Sequence, residues 1–210
     1  MQRRTLLAGL AALMAAPSAL ARSNSIALTE DQKARLDQAN QYLSGLKSVR
    51  CLFTQSDPQG NLSSGTLWMR RPGKARFQYD PPAQLLVVSD GANVMVYDRR
   101  LKTFDQYALG LTPLGLLLSK DVRLDKGVGI SAVVDTGRGF SITAQNVRKP
   151  REGSLILDFA DGPLALSGWT VVDAQGQRTQ VALGQMTQEL SLDPRLFTLP
   201  VPTGRNGRPG

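Results

Sequence analysis

The chain has no histidine among its 210 residues. That excludes imidazole triads and dyads, and nearly all zinc and transition-metal sites. Carboxylates do not fill the gap, because no Asp-x-Asp or Glu-x-Asp pair stands in a setting fit for acid–base work. There is no nucleophile elbow either. Neither a catalytic residue, a metal nor a cofactor is expected. The single cysteine, Cys51, lies in the strand-like run Val49-Arg50-Cys51-Leu52-Phe53. It has no internal disulfide partner, and its apolar neighbours predict a buried, inert thiol. Aromatic residues make up only 6% of the chain, so large rings are too few to fill a wide interior.

No apolar run is long enough to cross a bilayer. The longest, residues 6–16, follows Arg3-Arg4 and precedes Ala19-Leu20-Ala21. A basic start, a short apolar stretch and a small-x-small site read as an export signal, residues 1–21, removed at Ala21. The arginine pair fits a Sec or a twin-arginine route, and both stay open. No cysteine follows the cleavage site, so a lipid-anchored product is not expected, and the mature chain is expected outside the cytoplasm.

Loss of Arg3 and Arg4 lowers the formal charge from +8 to +6. The remaining positive charges are scattered with little aromatic interleaving, which argues against nucleic acid as a partner. Residues 22–202 are expected to form one domain and 203–210 a disordered tail.

Thr29-Glu30-Asp31-Gln32 has the spacing of a capping box, and Leu36, Ala39, Leu43 and Leu46 then recur every three or four residues. This predicts an amphipathic helix ending near Gly45. From residue 49 the text changes to strands, over 49–56, 62–71, 74–80, 84–89, 93–98, 102–107, 129–135, 139–146, 153–159, 164–173 and 178–187. Short Gly, Pro and Asp corners separate most of them and predict antiparallel pairing in one long meander. In the later strands Phe140, Ile142 and Ala144 alternate with Ser141, Thr143 and Gln145, so one face is apolar and the other wet. A sheet this long must curl, and its apolar face then lies inside. With so few rings, that inside is expected to stay partly vacant.

The one interruption is residues 109–119, LGLTPLGLLLS. Thr112 and Pro113 form an N-cap and N1 pair, and the following turn is almost wholly leucine. So short a helix needs an apolar surface to lie on, and the mouth of the curled sheet offers one.

The block GTLWMRRPGKARFQY followed by LLVVSDGANVMVYD resembles the LolA family of lipoprotein carriers. The resemblance rests on Gly65, Leu67, Trp68, Arg71 and Pro72, then on Val88, Ser89, Asp90, Gly91, Tyr97 and Asp98. The order of elements agrees, and Leu192-Asp193-Pro194 with Phe197-Thr198-Leu199-Pro200 is similar to the family's closing segment. Ala75 departs from it, standing where relatives often carry an aromatic residue.

The resemblance implies a mainly β (α+β) fold, an incomplete antiparallel barrel of about eleven strands with an N-terminal helix and a helical lid. It also implies a monomeric periplasmic chaperone that takes acylated lipoprotein cargo from an inner-membrane lipoprotein-releasing ABC transporter to an outer-membrane lipoprotein acceptor. The expected cavity residues are Leu67, Met69, Phe77 and Tyr79 from the strands, with Leu114, Leu116, Leu117 and Leu118 from the lid. Arg71, aimed by the pleat where Leu67 and Met69 point, is expected to donate to carbonyls at a lid-helix terminus and hold the empty form shut. Two other readings stand beside this one. The first is a binder of another amphiphile, a glycolipid or phospholipid, or an envelope-stress sensor of the same shape. The second, an exported hydrolase, is disfavoured by the missing chemistry.

Overall fold

The computed structural model describes residues 27–120, 122–124, 128–146 and 153–199. The export signal and the tail from 203 lie outside them.

Helix α1 (Glu30–Gly45) starts at the expected capping box. Gln32 N donates to Thr29 Oγ1 at 3.3 Å, and Thr29 N donates to Gln32 Oε1 at 3.0 Å. Leu36, Ala39 and Leu43 are buried beneath it. The strands are β1 (Ser48–Ser56), β2 (Leu62–Arg70), β3 (Lys74–Tyr79), β4 (Leu85–Asp90), β5 (Asn93–Asp98) and β6 (Thr103–Ala108). After helix α2 (Pro113–Leu117) come β7 (Val128–Asp135), β8 (Gly139–Asn146), β9 (Gly153–Ala160), β10 (Ala165–Asp173), β11 (Arg178–Leu183) and β12 (Thr187–Gln188).

All twelve strands join one antiparallel sheet in the order β6-β5-β4-β3-β2-β1-β11-β10-β9-β8-β7, with β12 paired to β1. This corrects the single meander expected from the corners. There are two meanders, β1 to β6 and β7 to β11, and they meet where Phe53 to Ser56 of β1 pair with Leu183 to Gln180 of β11. Strands β6 and β7 are the two edges, so the barrel is not closed. The last expected strand also breaks. Gly184 N donates to Leu52 O at 2.9 Å, and pairing with β1 resumes only at Thr187 and Gln188.

The curl can be read from one contact. Strands β3 and β10 stand four places apart in the sheet, about 19 Å on a flat surface. Yet Phe77 of β3 meets Trp169 of β10 edge-on, with centroids 6.1 Å apart.

Helix α1 lies in the concave face over β7 to β10. Tyr42 meets Phe159 edge-on at 6.2 Å, Gln32 Nε2 donates to Val133 O at 3.0 Å, and Arg35 bridges Asp135 and Asp161. The convex face is strapped by the C-terminal segment, whose 3-10 turn Pro194–Phe197 begins at an Asp193 cap. Arg76 Nη1 donates to Leu196 O at 3.1 Å, and Arg70 lies over the Phe197 ring. Leu199 closes a second apolar cluster with Leu86, Val88 and Met95.

Candidate ligand-binding cavity

Alternation along β2 and β3 turns Leu67, Met69, Ala75 and Phe77 inward, and all four are buried. Residues 109–118 double back over them as a flap. Both ends of the flap are pinned to one place. Leu109 N donates to Ala92 O at 2.8 Å, and Gly73 N donates to Leu118 O at 2.7 Å.

The two turns that provide these groups are interlocked. Ser89 Oγ, fully buried, donates to Gly73 O at 2.6 Å. Gly73 has φ +79° and lies so close to Gly91 that a Cβ would come within 2.6 Å of its Cα. Asp90 holds the second turn through Ala92 N and Asn93 N, both at 2.8 Å. The Arg-Pro-Gly and Ser-Asp-Gly motifs thus build the dock on which the flap closes. Thr112 stands at the expected N-cap and Pro113 at N1, but no side-chain cap bond forms. The Thr112 hydroxyl turns back and donates to Leu109 O at 2.8 Å, because closing the preceding 3-10 turn competes with capping.

Two apolar voids remain under the flap. The smaller, about 20 Å³, is walled by Leu43 and Leu46 of the α1 end, by Leu67, Met69, Arg71 and Ala75, and by Leu118. The larger and more open, about 190 Å³, is walled by Gln55, Tyr79, Val87, Leu155, Val171 and Val181 among others. Phe77, Leu114, Leu117 and Trp169 line both, so these four side chains partition what is otherwise one tract. The vacant interior expected from the scarcity of rings is therefore largely taken up by the flap's own leucines and by α1.

Of the expected cavity residues, Leu67, Met69, Phe77, Tyr79, Leu114, Leu117 and Leu118 line one void or both. Leu116 lines neither and packs, half-buried, against the core. Leu43, Leu46 and Trp169 were missed. The first two belong to the apolar stripe of α1, and Trp169 is brought across by the curl.

Arg71 finds a different helix from the one expected. Its Nε donates at 2.9 Å to Leu46 O, the C-cap of α1, and not to the leucine-rich helix. Its backbone N donates to Lys47 O at 2.7 Å. Its Nη2 is buried with no acceptor among the described residues. Burial holds the guanidinium pKa below its ordinary value. Arg71 is therefore a charged wall of an apolar void, fastened to the α1–β1 connection by both its side chain and its backbone N–H.

The model of the family described as outer membrane lipoprotein carrier protein LolA matches residues 44–200, most of the chain. The chain belongs to the LolA family. A protein of Methylibium petroleiphilum named outer-membrane lipoprotein carrier protein is 31% identical over 179 residues, 80% of this chain and 86% of the relative. Its namesake from Methylococcus capsulatus is 30% identical, over 82% of this chain and 83% of the relative. Among solved structures, a LolA superfamily protein from Nitrosomonas europaea superposes with a TM-score of 0.47 at 10% identity, over 82% of this chain and 99% of that one. The motif residues of this LolA-family chain divide by role. Ser89, Asp90 and Gly91 form the flap's dock together with the neighbouring Gly73, while Trp68 faces outward with the Arg50 guanidinium 5.7 Å from its ring centroid.

Proposed function

We propose that this protein is a periplasmic carrier that shelters the acyl chains of lipoproteins between an inner-membrane releasing transporter and an outer-membrane acceptor, working as a monomeric single-domain unit. The observation that carries this reading is the partitioned tract. Two apolar voids lie side by side on the concave face, and the partition between them includes two leucines of the flap.

The closed form is too small for its cargo. A void of about 190 Å³ compares with the roughly 150 Å³ cavity that accommodates a benzene molecule. Acyl chains enter only when the flap withdraws Leu114 and Leu117 and the two voids merge. Each methylene then buried contributes about 0.8 kcal/mol. Chains of many methylenes would bind too tightly to be handed on if nothing opposed them. Return of the flap leucines to their own sites supplies the opposition, since cargo and flap compete for one surface. Arg71 sharpens the competition by placing a partly desolvated charge where an acyl chain would lie.

Native mass spectrometry of the protein purified from its own periplasm tests the reading. Co-purifying triacylated lipoproteins are expected; glycolipid or phospholipid alone would transfer the fold to another amphiphile. The Arg71→Leu variant is expected to load cargo normally and release it to the acceptor more slowly. An unchanged transfer rate would remove Arg71 from the mechanism.

A further inference from the structure

Gln55, Tyr79 and Thr179 form a polar corner in the largely apolar wall of the larger void, whose other hydroxyl, on Thr112, is spent on Leu109 O. Tyr79 Oη donates to Gln55 Oε1 at 2.7 Å. Thr179 stands one pair beyond Gln55 on the same face, because Gln55 pairs with Val181 and side chains alternate along β11.

The contact is built by a missing side chain. In the β1–β2–β3 register Phe53 faces Gly65, and Gly65 faces Tyr79. With no Cβ on Gly65, the Tyr79 ring lies edge-on to Phe53 with centroids 5.0 Å apart, and its hydroxyl reaches β1. A Cβ there would come within 2.2 Å of Gln78 O and 2.9 Å of Phe53 Cε1. Burial keeps Tyr79 a neutral phenol, with its pKa pushed up to about 12.

Tyr79 satisfies the Gln55 carbonyl oxygen, but among the described residues nothing accepts from Gln55 Nε2. That amide is not sealed from water, so an entering ligand replaces solvent at its N–H donors. The complementary ligand group is an acceptor without a donor at the head of a hydrocarbon chain, which describes an ester or tertiary-amide carbonyl, and a secondary amide through its carbonyl alone.

We propose that Gln55, positioned by Tyr79, donates to the carbonyl that links an acyl chain to its headgroup, and so sets how deep the chain enters and favours acyl over plain alkyl chains. This rests on the carrier reading above. It adds a recognition element that apolar burial alone does not provide.

Trp169 lines the same void, so a ligand there perturbs its share of the fluorescence, while Trp68 faces outward. The test titrates the mature protein, its Gln55→Leu variant and its Tyr79→Phe variant with methyl palmitate and with the corresponding alkyl methyl ether, whose oxygen is the weaker acceptor. The native protein is expected to prefer the ester. Gln55→Leu is expected to weaken ester binding about tenfold and leave the ether nearly unchanged. Tyr79→Phe, which only frees the amide to rotate, is expected to cost the ester about threefold. An ester-to-ether ratio that stays the same in both variants overturns the anchor and leaves an ordinary core hydrogen bond. Failure of both probes to perturb Trp169 in the native protein overturns the carrier reading and the anchor with it. Binding of both probes with an unaltered ratio overturns the anchor alone.

Discussion

The two helices on the concave face are held in opposite ways. Helix α1 has 16 residues, a full capping box and polar ties to β7 and to the chain after α2, including Leu124 N donating to Asn40 Oδ1 at 2.9 Å. Helix α2 has five residues, no side-chain cap and an inner surface of leucine. Among the described residues, its ties to the sheet are the backbone pins at Leu109 and Leu118. A helix this short has no stability of its own, so its position depends on the surface it covers. On the carrier reading, the first is a fixed part of the fold, whereas the second is the part that cargo displaces.

Substitutions should separate the two. Leu43→Ala, beneath α1 where the side chain is almost fully buried, is expected to cost about 3 kcal/mol in denaturant unfolding. Gly73→Ala introduces a Cβ at φ +79° against Gly91. It is expected to cost about 2 kcal/mol and to speed amide exchange in the flap far more than in α1. Leu114→Ala should cost less than about 1 kcal/mol, because this half-buried side chain borders voids already present. It should nevertheless tighten binding of an apolar probe, since part of the partition is gone. If Leu114→Ala destabilised the protein as much as Leu43→Ala, the distinction between the helices would fail.

The smallest effect concerns Cys51 on β1, the strand that joins the two meanders. Burial pushes its thiol pKa up to about 11, so at pH 8 only about one molecule in a thousand carries the thiolate. Maleimide labelling is therefore expected to be slow and to rise as pH approaches that value. It should be unaltered by Leu114→Ala, because the flap and not β1 moves.

Local chemistry was legible in the sequence, and long-range geometry was not. The Thr29–Gln32 capping box needs only a spacing of three, and the Asp90-Gly91 corner needs only a residue that tolerates positive φ, so both were readable. The pairing of β1 with β11 joins residues more than a hundred positions apart, and no corner residue signals it. The same applies to Arg71. Its place on the inward face followed from the pleat, but its partner at Leu46 depends on how α1 enters the sheet. Leu116 shows the limit of composition, because one turn of leucines cannot all face the same way. Gln55 gave no sign in the sequence, since its significance comes from a tyrosine two strands away reaching over a glycine.

Amide hydrogen exchange with and without a tripalmitoylated lipopeptide tests the exchangeable flap most directly. On loading, the amides of Thr112, Gly115 and Leu118, each bonded within the flap in the closed form, are expected to lose protection while those of α1 keep theirs. Cargo binding that leaves the flap amides protected, or that exposes α1 in their place, would contradict the account.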